Sequence, residues 1–197
     1  MIATLRRALT FAAVCLATVL ALAPGSASAR MNPPNDDWRV RLNQQLQLMG
    51  HRNWIAVVDS AYPLQTSAGI ETIETNDDQL DVVKTVLGQI ARAKHVRPVI
   101  FTDAELKLVP ESDARGVTAY RDALGKLLGK SGPENPEAQS LPHEEIISKL
   151  DEAGKTFHIL ILKTNLTIPY TSVFIRLDCG YWSDDAEKRL RVAMAAH

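Results

Sequence analysis

His51 stands in a polar turn, Gly50-His51-Arg52-Asn53, and the apolar run Trp54-Ile55-Ala56-Val57-Val58 follows directly. Asp59 closes that run, ahead of Ser60, Ala61, Tyr62 and Pro63. An imidazole exchanges protons near neutral pH, and a carboxylate holds hydroxyl groups through charge-assisted hydrogen bonds. A run of this length makes one buried strand spanning about 17 Å. His51 and Asp59 of one chain are therefore expected at opposite strand ends. Joint action on one small molecule requires the fold, or an oligomer, to bring them together. Other polar groups are expected at strand ends too: Asp103 and Lys163. In α/β folds ligands gather at the carboxyl ends of strands.

The familiar catalytic constellations are missing. Gly125-Lys126 and Gly129-Lys130 lack the spacing of a phosphate-binding loop. His51, His95, His143 and His158 lie far apart, with no His-x-x-x-His pair and no Cys/His cluster, so no metal site is expected. No Gly-x-Ser-x-Gly elbow is present. Taken alone, the residues leave bland alternatives open. His51 reads equally as a surface turn histidine, Asp59 as a turn former, His143 as a first-turn helix residue and Tyr170 as an aromatic covering the core.

The elements that would position these groups follow from periodicity and caps. Asp36 or Asp37 caps a helix carrying Trp38, Leu42, Leu46 and Met49 on one face, and Gly50 stops it. The strand Trp54–Val58, a loop over 60–69 and a half-exposed strand Ile70–Glu74 come next. Asn76 or Asp77 is expected to cap a helix with the stripe Leu80, Val83, Leu87 and Ile90. A strand over 98–102 ends just before Asp103. A helix over 113–128 presents Val117, Tyr120, Leu124 and Leu127. The Gly/Pro-rich stretch 129–140 reads as a loop. Pro142 and His143-Glu144-Glu145 open a helix running to about Ala153, ended by Gly154. Strands over 157–162 and 172–177 flank a turn-rich connection. Ser183 caps a last amphipathic helix, Asp184–Ala195, with an acidic first turn and a basic second half. Strands alternating with helices make a single α/β layered domain, a central mostly parallel or mixed sheet flanked by helices.

The 197 residues are 46% hydrophobic with a formal net charge of −1, and scattered, balanced basic residues argue against a nucleic-acid surface. Arg6 and Arg7 precede an apolar run over 8–23, and Ser26-Ala27-Ser28-Ala29 follows. That pattern reads as a secretory signal peptide over 1–29, its run too short for a stable membrane span. The chain is expected to be exported, periplasmic or secreted. Cleavage would remove Cys15, leaving Cys179 without an intrachain partner. The organisation is then signal peptide 1–29, domain 30–182 and helical extension 183–197.

The stretch from Gly50-His51 through the apolar strand to Asp59-Ser60-Ala61-Tyr62-Pro63 resembles the signature of the D-ribose pyranase / L-fucose mutarotase family. His143-Glu144 opening a helix, then the strand over 157–162, Pro169-Tyr170-Thr171-Ser172 and the strand over 173–177 resemble that family's closing unit. The resemblance spans about residues 42–182. It implies cofactor-independent interconversion of monosaccharide ring forms or anomers, with His51 as proton donor. It also implies sugar contacts from Asp59, His143, Tyr170, Thr171 and Ser172, and self-association into a pentameric or decameric ring with sites shared between subunits. Ser172 departs from the usual asparagine, and the helix 183–197 extends beyond the family's ordinary end. These departures motivate a second expectation, a non-catalytic periplasmic carbohydrate-binding or interaction protein on the same fold. A third, a small hydrolase or lyase, rests only on Asp59, Asp103 and Lys163.

Overall fold

At the middle of the sheet lies β1 (Trp54–Val58), every residue of it buried. The computed structural model describes residues 37–129 and 138–196. The signal-peptide reading, Cys15 and most of the 129–140 loop lie outside the described residues. The remaining strands are β2 (Ile70–Glu74), β3 (Val96–Asp103), β4 (Gln139–Leu141), β5 (Ile159–Lys163) and β6 (Val173–Cys179), in the order β2-β5-β1-β6-β3-β4. The pairs β2·β5, β1·β5 and β3·β4 are parallel, whereas β6 runs antiparallel to both β1 and β3. The expected mixed α/β sheet is thus present, with a single reversed strand. The carboxyl ends of the five parallel strands and the amino end of β6 consequently share one edge.

A continuous apolar strand buries both faces only if both are covered. On β1, Ile55 and Val57 join Trp38, Leu42 and Leu46 of α1 (Trp38–Leu48), Val82, Val83, Val86, Leu87 and Ile90 of α2 (Gln79–Arg92), and Val117, Tyr120 and Leu124 of α3 (Val117–Leu128). Trp54, Ala56 and Val58 face the other way. They pack with Phe101, Ile161, Phe174 and residues Ile146 and Leu150 of α4 (His143–Gly154). Trp54 stacks on Phe101 at 5.4 Å between ring centroids.

Several boundaries differ from the sequence expectation, each for a local reason. Asp78, not Asn76 or Asp77, caps α2, accepting from the Leu80 N–H at 2.9 Å. Asp77 is engaged elsewhere, by the Trp38 indole at 2.6 Å and by Arg39 at 2.8 Å. β3 starts two residues before Pro98 and takes in Asp103 as its last residue, because Val96 and Arg97 pair with Cys179 and Asp178. Pro98 is tolerated inside the strand since β4 pairs only with Phe101, Thr102 and Asp103, leaving the rest of that side an edge. The stretch 113–116 is not helical: α3 starts at Val117, after Gly116 at φ +91°. There the Glu111 carboxylate accepts from the Gly116 and Thr118 N–H groups. A 3₁₀ turn, Ala104–Lys107, precedes it. β4 lies in what reads as loop, too short to carry a periodicity of its own.

The final helix, α5 (Asp184–Ala195), has its expected bounds and its Ser183 cap, but none of its residues is buried. Lys188, Arg189 and Arg191 lie mid-helix and its last turn carries no base, so the basic half is not formed. Arg97 ties its start to the sheet, bonding Asp178 and Asp184 at 2.7 Å each. Among the described residues no helix is long and apolar enough to cross a membrane.

Candidate functional site

The shared edge collects polar side chains from five segments. Asp59, just past β1, accepts from the Ala61 N–H at 2.9 Å, which fixes the turn after the strand. Its other oxygen accepts from the Ser172 hydroxyl at 3.4 Å. Lys163, at the end of β5, donates to the Tyr62 carbonyl at 2.8 Å and ties that turn down.

Asp103 ends β3 with its side chain wholly buried, one oxygen 3.1 Å from Nδ1 of His143. Its second oxygen has no hydrogen-bond partner among the described residues. His143 is the first residue of α4, and Pro142 before it has no capping side chain. The Glu105 carboxylate supplies that cap, accepting from the His143 N–H at 3.0 and 3.1 Å. Tyr170 packs edge-on against the His143 ring at 5.7 Å, in a backbone conformation of φ 57°. A tyrosine at positive φ is strained and persists where its surroundings fix it.

The neighbouring turn provides that fixing. Thr171 is buried, its hydroxyl donates to the Ile168 carbonyl at 2.8 Å, and its carbonyl accepts from the Tyr120 hydroxyl at 2.8 Å and from the Gln79 amide. The Thr164 hydroxyl lies 2.9 Å from the Gln79 carbonyl oxygen and 3.0 Å from the Val58 carbonyl, its single proton shared between the two acceptors. This buried network joins α2, α3, the ends of β1 and β5, and the turn before β6.

Burial raises the Asp103 carboxyl above the usual carboxylate range, the His143 hydrogen bond opposing it. Tyr62 is pushed up to about 12, first by burial and then by Asp151, Asp103 and Asp59. Burial likewise raises Tyr120. Both phenols are therefore neutral hydroxyls at ordinary pH, not bases. Among the described residues no group of three His, Cys, Asp or Glu side chains is placed to hold a metal ion.

Of the residues singled out in the sequence, Asp59, His143, Tyr170, Thr171 and Ser172 lie together at this edge. His51 does not. It is exposed in the turn before β1, at the far end of the strand, next to a hollow lined by Arg52, Trp54, Lys149, Phe157 and Arg176. Asp103 was visible in the sequence as a strand-end carboxylate, but its pairing with His143 was not. Glu105 and the Gln79–Tyr120–Thr164 network were missed altogether. The one available signal was Gln79 and Tyr120 interrupting otherwise apolar helix faces.

No family model matches the chain. It is similar to D-ribose pyranase of Thermotoga petrophila, 25% identical over 137 residues, covering 68% of this chain and 88% of that protein. Among solved structures it is similar to RbsD of Bacillus subtilis complexed with D-ribose, with TM-score 0.48 and 18% identity over 70% of this chain and 91% of that one. It is also similar to the fucose mutarotase of Streptococcus pneumoniae in complex with L-fucose, with TM-score 0.44 and 15% identity over 75% of this chain and 97% of that one. The resemblance read from the Gly-His strand signature and the closing helix–strand unit thus has a curated relative behind it.

Proposed function

We propose that this protein binds a monosaccharide at the carboxyl edge of its sheet and interconverts its ring forms or anomers without a cofactor. The observation that carries the reading is the convergence of Asp59, the Asp103–His143 pair, Tyr170 and Ser172 at one edge of a chain similar to D-ribose pyranase. The reaction asks little of a protein. A base takes the proton of the anomeric hydroxyl, an acid protonates the ring oxygen as its bond to the anomeric carbon breaks, and closure reverses both transfers. Asp59 and the turn 170–172 hold sugar hydroxyls, and the half-buried His143 faces the same space.

His51 is proposed as the proton donor of the pair. Its place at the opposite end of β1 requires that it reach the sugar from a second copy of the chain, within a pentameric or decameric ring. Export through the segment 1–29 completes the reading, with the working protein periplasmic or secreted. Saturation-transfer NMR on D-ribose and L-fucose tests the activity: the protein is expected to accelerate exchange between ring forms or anomers. Sugar binding with no acceleration would leave only carbohydrate binding, and neither would sink the proposal. His51→Ala is expected to abolish the acceleration, and light scattering is expected to show an oligomer. A stable monomer with full activity removes the shared site. Amino-terminal sequencing of protein recovered from the cell envelope or medium tests export, with Arg30 the expected first residue.

A further inference from the structure

We propose that Asp103 is a positioning residue for His143, holding the ring with Nδ1–H directed inward and Nε2 presented to the sugar as the atom that takes and returns a proton. What His143 acts on rests on the sugar-interconversion reading; how its ring is held does not.

Three observations carry the assignment. Asp103 has no exposed side-chain surface, and one oxygen meets Nδ1 of His143 at 3.1 Å while the other has no partner among the described residues. A buried carboxylate persists only where something compensates it, and among the described residues the imidazole is its one hydrogen-bonding side chain. Second, helix capping does not explain the contact. Glu105 already satisfies the His143 N–H at 3.0 and 3.1 Å, so Asp103 acts on the ring alone. Third, Tyr170 packs edge-to-face with the ring at 5.7 Å and 83°, setting its plane, while Nε2 makes no hydrogen bond among the described residues and the His143 side chain keeps 31% of its surface exposed. A ring with one nitrogen tied to a buried carboxylate and the other open is the arrangement by which a protein fixes a histidine tautomer.

The surroundings suit that task. Around the pair stand Glu105 from the 3₁₀ turn, Asp59 after β1, Tyr62 and Tyr170. The nearby cation Lys163 is engaged by the Tyr62 carbonyl. Proton uptake at Nε2 during ring opening is therefore met by a fixed negative charge behind the ring. The anomeric O–H bond breaks with its proton going to Nε2. The bond between the anomeric carbon and the ring oxygen breaks to give the carbonyl, and the ring oxygen takes a proton from a separate acid. On closure the hydroxyl that attacks the carbonyl carbon gives its proton back to that acid while Nε2 returns its own to the carbonyl oxygen, so both groups end as they began.

The direct test needs no substrate. Long-range ¹H–¹⁵N NMR of the ¹⁵N-labelled full protein, with His143→Gln assigning the signals, is expected to show the neutral His143 ring protonated at Nδ1. A neutral ring protonated at Nε2 overturns the proposal, whether or not any sugar is turned over. Asp103→Asn keeps the shape and removes the charge. With D-ribose or L-fucose as the probe, it is expected to lower kcat at least tenfold with KM changed less than twofold. It should also displace the acidic limb of the pH–rate profile, which belongs to the pair. In a His143→Gln background the same substitution is expected to add no further loss. An Asn variant with unchanged kcat and an unmoved acidic limb refutes the assignment. Failure of the wild-type protein to accelerate any exchange refutes the functional reading instead, and the tautomer measurement still decides this one.

Discussion

Replacing Gln79 with Leu removes the hub of the buried network while nearly conserving volume. Gln79 is fully buried and makes three hydrogen bonds, to the Tyr120 hydroxyl at 3.1 Å, to the Thr171 carbonyl, and from Thr164 at 2.9 Å. A buried neutral hydrogen bond contributes about 1 kcal/mol net, giving a loss of about 3 kcal/mol. The loss is not larger because no partner is orphaned. The Thr171 carbonyl keeps the Tyr120 hydroxyl at 2.8 Å, and Thr164 keeps the Val58 carbonyl at 3.0 Å. For a chain of this size that corresponds to a fall of roughly 6–12 °C in Tm. Urea denaturation is the assay, with a lower midpoint at an unchanged slope. Tyr120→Phe should cost about 1–2 kcal/mol, and the double variant should lose more than the sum, since only then is the buried Thr171 carbonyl left without either donor. Because that carbonyl holds the turn 170–172, the Leu variant is also expected to raise KM for a sugar more than it lowers kcat. A Gln79→Leu midpoint shift worth under about 0.5 kcal/mol, or strict additivity with Tyr120→Phe, would refute the network as a structural unit.

Other outcomes follow from the same geometry. Burial holds the Asp103 carboxyl above the ordinary carboxylate range, so the folded chain binds that proton more readily than the unfolded chain. The wild-type stability relative to Asp103→Asn should therefore improve as pH falls through the folded value toward the ordinary range, and stay flat above it. Paired thermal melts across pH read this, and the opposite slope contradicts it. At Gly180 a Cβ would lie 2.6 Å from the Lys94 carbonyl oxygen and 2.8 Å from the Val96 nitrogen. Both are backbone, so Gly180→Ala should cost about 1–3 kcal/mol by urea titration, and a neutral result would contradict the close approach. Ending the chain after Trp182 removes a helix that buries none of its residues and is tied by an exposed pair of Arg97 and Asp184. Stability should change by no more than about 1 kcal/mol, and a larger loss would mean that α5 packs on another copy.

What could be read without coordinates was what near neighbours decide. Trp54–Val58, Ile70–Glu74 and Asp184–Ala195 have the bounds that periodicity and caps give them. The helix faces of α1 and α3 were legible because apolar spacing of three and four is a local property. Where a cap or start was misplaced, a distant or nearby competitor had taken the group concerned: Trp38 and Arg39 took Asp77, and Glu111 took the Gly116 and Thr118 N–H groups at the start of α3. The site residues Asp59, His143, Tyr170 and Ser172 were found through a motif, and the length of the Trp54–Val58 strand already set His51 at the opposite end from Asp59. That Ser172, just before β6, falls on the same edge as Asp59 followed from the reversed direction of β6 and from a strand order unrelated to chain order. The Asp103–His143 contact joins positions 40 apart, and Asp59–Ser172 joins positions 113 apart. Such pairs exist only once the register of the sheet is set, because a buried polar atom is satisfied by whatever the whole fold brings beside it, not by its sequence neighbours.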